Sequence, residues 1–202
     1  MPSIKKISTP QLQTLYQTQM QRDFPADELR PLQSMIQLTH QGDYLSFGYL
    51  DDRQEMIAYA TFALLPERQA ALLDYYAVLP AHRGSGIGSA FLGSFQKLLS
   101  PYGITHLLIE VEAVETADTA ADAALRENRI HFYEKNHCVL SSVCTKLLGV
   151  TFRVMSRSFT DQPLPENVIV EEMTQIYQII LRPLLSSEKD LDQLMSVWSS
   201  PL

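Results

Sequence analysis

Residues 74–99 read DYYAVLPAHRGSGIGSAFLGSFQKLL, and three kinds of segment lie in that order. Ala71–Leu79 is apolar apart from Asp74, has the length of a buried strand, and is stopped by Pro80. Ile87, Phe91, Phe95, Leu98 and Leu99 recur at helical steps, and Pro101, Tyr102 and Gly103 end that helix. Between them lies Arg83-Gly84-Ser85-Gly86-Ile87-Gly88. The first amides of a helix have no intrahelical acceptor and sit at the positive end of its dipole, so this turn favours an anion. Glycines let the backbone approach that anion closely, and Arg83 adds a cation able to bind two oxygens at once. A phosphate is the ligand such a turn suits best.

Working outward, Ser3–Ser8 reads as a strand, and Thr9-Pro10 opens a helix running to about Gln21. A second helix spans roughly Arg30–Gln41 and stops at Gly42-Asp43. Tyr44–Leu50 and Glu55–Leu65 are rich in strand formers and are joined by the polar turn Asp51-Asp52-Arg53, which makes a hairpin. Beyond residue 103, His106–Glu112 is a strand and Asp122–Lys135 a helix, and Cys138–Ser158 holds two strands meeting near Gly149. The predicted order is strand, two helices, three strands, helix, strand, helix, two strands. Pro163 and Pro165 then mark a join. Past it, Ile169, Met173, Ile176, Tyr177 and Ile180 predict one amphipathic helix, and Leu191, Leu194, Met195 and Trp198 predict another.

The chain has 202 residues, 46% of them hydrophobic, which suits one compact domain with an appendage. Its net charge is -7, a balance that excludes broad adhesion to nucleic acid or anionic lipid and prefers neutral or cationic partners. Residues 161–202 carry two basic and seven acidic side chains, so five of the seven net negative charges lie there. That tail is expected either to pack on the main domain or to offer a partner or homodimer surface. Lys5 and Lys6 have no continuous apolar stretch behind them, and no run approaches the ~20 apolar residues of a membrane span. A cytoplasmic protein without membrane attachment is expected. Cys138 and Cys144 are too few for a disulfide framework and read as small buried hydrophobes.

Three phosphate-binding patterns compete for the turn. A P-loop requires a Lys directly after its last glycine, and none follows here. A dinucleotide fingerprint is approximated by Gly84-x-Gly86-x-x-Ser89, with Glu110 at a suitable distance for a ribose contact. However, its third glycine is a serine, and Gly84 follows Val78 six positions on, where that fold turns at once. The third pattern, Arg83-x-x-Gly86-x-Gly88, resembles motif A of the GNAT superfamily of acetyl-CoA-dependent N-acetyltransferases. Arg129-Ile130-His131-Phe132-Tyr133-Glu134-Lys135 is similar to the helix of that family's motif B. The element order over residues 3–158 resembles the family as well. Two departures stand out: His137 and Cys138 replace a usual Gly-Phe after the helix, and Arg126 replaces a common Asn. Asn136 or His137 is left to supply the left-handed cap conformation.

The resemblance implies an α/β (α+β) GNAT fold, with a central mixed, mostly antiparallel twisted sheet of about six or seven strands flanked by helices. Residues 1–160 would be the transferase domain and residues 161–202 an acidic helical C-terminal extension. It further implies acetyl-CoA as cosubstrate, its diphosphate on the amides of Arg83, Gly84, Ser85, Gly86, Ile87, Gly88 and Ser89, its pantetheine arm along the strand ending at Val78, and Tyr133 as the acid that protonates the leaving sulfur. The acceptor would be a primary amine of a small molecule or peptide, acetylated by direct transfer; a catalytically silent acyl-CoA-binding regulatory module is the alternative.

An alkyl amine titrates near ~10 and must lose a proton before it attacks. Glu110, Asp74 and Glu112 are the carboxylates on otherwise apolar strands, and a carboxylate there is costly unless paired or used. Glu110 ranks first as base or water-orienting group, then Asp74. No metal site is expected: the histidines at 40, 82, 106, 131 and 137 form no H-E-x-x-H pair, and the cysteines form no C-x-x-C.

Overall fold

The computed structural model describes residues 2–26, 28–160, 162–185 and 194–200. Among these described residues, eight strands form a mostly antiparallel sheet flanked by helices: β1 (Ser3–Lys6), β2 (Tyr44–Leu50), β3 (Met56–Leu65), β4 (Ala70–Val78), β5 (His106–Glu112), β6 (Val139–Leu147), β7 (Val150–Ser158) and β8 (Met195–Ser199). The helices are α1 (Thr9–Leu15), α2 (Gln21–Asp23), α3 (Leu32–Gln41), α4 (Ile87–Leu99), α5 (Ala120–Lys135) and α6 (Glu166–Leu181). Through residue 158 the order is the one the sequence predicts, except that the first predicted helix is divided into α1 and α2.

The chain divides into two compact units, one of Met1–Leu64 and Leu73–Ser94, the other of Leu65–Leu72 and Phe95–Leu202. In the first, β1, β2 and β3 are antiparallel neighbours, with Lys5 opposite Gly48 and Phe47 opposite Ala60. β3 is fully buried from Ile57 to Leu65. Ser8 rather than Thr9 caps α1, its N–H donating to Gln11 Oε1 at 2.9 Å. The predicted single helix to Gln21 is broken by a π-helical turn at Tyr16–Met20 before α2.

In the second unit β7 pairs antiparallel with β5 and β6, placing Glu110 opposite Val154 and Thr145 opposite Phe152. Gly149, at φ 94°, turns β6 into β7. Thr119 caps α5 by accepting the Asp122 N–H at 3.1 Å. The other end of α5 closes with His137 at φ 64°, while the N–H groups of His137 and Cys138 donate to Glu134 and Tyr133 carbonyls, both at 3.0 Å. This is a Schellman closure with His in the usual glycine place.

The tail departs from expectation in its last part. α6 forms as predicted and buries Ile169, Met173, Ile176, Tyr177 and Ile180. The second predicted helix does not extend over 195–199. That stretch is strand β8, which pairs antiparallel with β6 (Trp198 opposite Cys144) and raises the strand count to eight. Leu191 lies outside the described residues. The spacing of Leu194, Met195 and Trp198 fits a helix turn, but a five-residue uncharged segment gains more from an open sheet edge than from one isolated turn. Both cysteines are free and buried. No helix among the described residues is long and apolar enough to cross a membrane.

Candidate functional site

In the first unit, the phosphate turn is built from β4 outward. Leu79 N–H donates to Ile57 O at 2.9 Å, which ties the end of β4 to β3. A 3-10 turn at Pro80–His82 follows. Gly84 and Gly86 take φ 76° and 82°, conformations that are costly for other residues. Tyr76 braces the turn from β4, its hydroxyl donating to Gly88 O at 2.6 Å. Ser85 Oγ donates back to His82 O at 2.6 Å, leaving its amide as the group that can face a ligand.

The amides themselves carry the main observation. Among the described residues, the first N–H of this segment with a backbone acceptor is that of Ala90, on Gly86 O at 3.0 Å; those of residues 84–89 have none. Six consecutive donors at the head of a thirteen-residue helix therefore stand open. A Cβ built on Gly84 or Gly86 would meet nothing within 4 Å. The turn is open there, and its unbonded amides fit a diphosphate.

Arg83 is held from two sides. Its Nε donates to Val78 O at 3.0 Å, and its guanidinium lies 3.7 Å from Asp23, whose carboxylate also accepts the Tyr59 hydroxyl at 2.8 Å. Burial, reinforced by the Asp23 hydrogen bond, pushes the Tyr59 phenol well up. Arg83 thus spans the strand end at Val78 and a nearly buried carboxylate, although its side chain stays 60% exposed.

Asp74 sits in the same unit and is fully engaged. Arg30 lies 3.3 Å from it, with side chains only 6% and 10% exposed, and the Tyr44 hydroxyl donates to its other oxygen. The Tyr44 hydroxyl is also 2.8 Å from Thr61 Oγ1, and the Tyr75 hydroxyl accepts from Arg30 N–H at 2.7 Å. Burial is the largest effect on Arg30 and opposes its charge, but the Asp74 charge and hydrogen bond, together with Tyr44 and Tyr75, hold the guanidinium above its ordinary value. Burial, then the Asp74 charge, push the Tyr44 phenol far up. The pair is an internally neutralised buried cluster rather than a bare anion.

Glu110 and Tyr133 belong to the second unit. Glu110 Oε1 accepts hydrogen bonds from the hydroxyls of Thr145 on β6 and Tyr177 on α6. Glu112, the other carboxylate on β5, is claimed by Arg129 at 2.6 Å and Arg126 at 3.4 Å. Arg126, in the place of the usual Asn, donates to Ala113 O at 2.7 Å and Thr116 Oγ1 at 2.9 Å, pinning the loop before α5. The Tyr133 ring is buried and packs edge-on against Phe132 at 5.2 Å. Burial pushes its phenol well up, which keeps the group protonated at physiological pH.

The sequence reading missed Arg30, Tyr44, Asp23, Thr145 and Tyr177 as partners of these groups. One signal was available: Tyr177 lies in an otherwise apolar helical stripe, where a buried hydroxyl requires an acceptor.

Residues 9–137 match the model of the Acetyltransferase (GNAT) family. The chain belongs to the GNAT acetyltransferase family. No curated protein sequence matches it. Solved structures share the GNAT fold at low identity. A protein from Bacteroides thetaiotaomicron assigned to the GNAT family is 17% identical, with a TM-score of 0.67 over 88% of this chain and 97% of that one. The ribosomal-protein-S18-alanine N-acetyltransferase of Escherichia coli is 21% identical, with a TM-score of 0.56 over 81% and 97%. An aminoglycoside 6'-N-acetyltransferase solved with coenzyme A is 13% identical, with a TM-score of 0.55 over 80% and 99%. The family match begins within the first helix and ends at the Schellman closure of α5, so α6 and β8 lie beyond it.

Proposed function

We propose that this GNAT protein transfers an acetyl group from acetyl-CoA to a primary amine of a small molecule or peptide, with both substrates bound together. The observation that carries the reading is the run of six open amides at residues 84–89 in a chain of this family. Residues 1–160 are assigned to the transferase domain and 161–202 to an extension of it.

The roles follow from chemistry. The N–H groups of Gly84, Ser85, Gly86, Ile87, Gly88 and Ser89 hold the diphosphate, and Arg83 adds positive charge at the rim. The backbone N–H at Val78 polarises the thioester carbonyl. The attacking nitrogen forms the new N–C bond as the C–S bond breaks. Glu110 takes the proton that the nitrogen loses, and Tyr133 donates its proton to the departing sulfur and regains one from solvent. Asp74 ranks behind Glu110 as base because Arg30 already meets its charge. The net charge of -7 favours a cationic acceptor, and neighbours of this fold include enzymes named for an aminoglycoside and for a ribosomal-protein alanine.

The test is CoA release from acetyl-CoA with a panel of an aminoglycoside, a peptide beginning with alanine and a polyamine, the products identified by mass spectrometry. Thiol release matched by an acetylated amine is expected. Binding of acetyl-CoA with no release against any amine would replace this reading with the silent acyl-CoA-binding module.

A further inference from the structure

The helix α6 lies outside the residues that match the family, yet it places two polar groups on β5. Glu172 meets His106 Nε2 at 2.7 Å, and five residues on, Tyr177 donates its hydroxyl to Glu110 Oε1. His106 precedes Glu110 on β5 as Glu172 precedes Tyr177 on α6, so helix and strand run in the same direction. The rest of the buried face is apolar: Ile169, Met173, Ile176, Ile180 and Leu181.

A phenylalanine would fill the space of Tyr177 equally well, and only the hydroxyl distinguishes the two. Burying a phenol among aliphatic side chains is unfavourable unless the hydroxyl has a partner. Its partner here is the carboxylate ranked first as the base. Thr145, fully buried on β6, donates to the same oxygen. Hydroxyl donors favour the ionised carboxylate and fix its orientation.

We propose that Tyr177, in the C-terminal extension, is a positioning residue for acetyl transfer: together with Thr145 it keeps Glu110 ionised and in one orientation to accept the proton of the attacking amine. The proposal rests on the reading of Glu110 as the base. Several charged groups on the elements packed around Glu110 within its unit are engaged with one another, and Arg157 on β7 lies over the Phe159 ring. From α5, Arg126 and Arg129 hold Glu112; from β7, Arg153 lies 3.5 Å from Glu115; from α6, Glu172 holds His106. The two hydroxyls that donate to Glu110 are the groups whose removal tests the idea.

The experiment is a pH titration of the full chain carrying 13C-labelled glutamate carboxyls, with Glu110 assigned from Glu110→Gln. In Tyr177→Phe the Glu110 midpoint is expected to rise by about one pH unit, and Thr145→Val, which keeps shape, is expected to move it in the same direction. If Tyr177→Phe does not fold, Thr145→Val carries the test. On whichever amine of the panel is acetylated, the acid limb of kcat should move up by the same amount, with KM for acetyl-CoA unchanged. Coincident midpoints would overturn the proposal, as would a midpoint shift with an unmoved acid limb. If no amine is acetylated, the base role falls with the transferase reading; a carboxyl shift that persists would show which of the two had failed.

Discussion

Replacing His106 with Leu should cost this protein several kcal/mol, because it strands the Glu172 carboxylate. The two side chains are 11% and 3% exposed and 2.7 Å apart. Thr105 Oγ1, 3.3 Å from His106 Nδ1, holds the ring from its other side. Leucine is close in size to histidine, so packing changes little and the unpaired buried charge dominates. Breaking one side of such a pair costs about 3–5 kcal/mol. In a chain of this length that corresponds to a fall in Tm of roughly 6–20 °C, at about 2–4 °C per kcal/mol. The double variant His106→Leu, Glu172→Leu removes both groups and should lie within about 1 kcal/mol of the parent. The assay is urea denaturation of the parent, both single variants and the double. A single-variant deficit below about 0.5 kcal/mol, or a double variant as unstable as the single, would refute the idea that this pair clamps α6 to β5.

Other consequences are equally direct. Gly86→Ala places an L-residue at φ 82° and should lose about 1 kcal/mol, whereas Gly93→Ala within α4 should gain about 0.5–1 kcal/mol; melting curves of the two decide the signs. Tyr133→Phe should lower kcat by about 10²–10⁴-fold while leaving acetyl-CoA affinity unchanged by calorimetry, and unchanged turnover would remove its acid role. Burial pushes the Cys138 thiol up to about 11. Its alkylation by iodoacetamide at about pH 8 should therefore be at least about a hundredfold slower than that of a free thiol and rise with pH, which mass spectrometry of the labelled peptide would record.

What was legible in the sequence was local. The strand, turn and helix of residues 74–99 could be read because Pro80, the glycines and the Phe91–Phe95–Leu99 stripe each act within a few residues; all three of those side chains are fully buried. The cap after Lys135 was narrowed to Asn136 or His137, and His137 supplies it. Chemistry that depends on distant residues was not legible. Asp74 meets Arg30 and Tyr44 across 44 and 30 positions, and Glu110 meets Tyr177 across 67. No periodicity encodes such pairs; they follow from which strands and helices become neighbours. β8 was misread for a related reason, since whether a short apolar segment coils or extends is decided by the free edge of β6 it pairs with.

The central claim, that the open amides of residues 84–89 hold the diphosphate of acetyl-CoA, is tested most directly by isothermal titration of the protein with acetyl-CoA and, in parallel, with acetyl-pantetheine, which lacks the diphosphate. Acetyl-CoA should bind at least about a hundredfold more tightly, the value of two or more charge-assisted hydrogen bonds. Equal affinities, or no binding of either, would contradict the account.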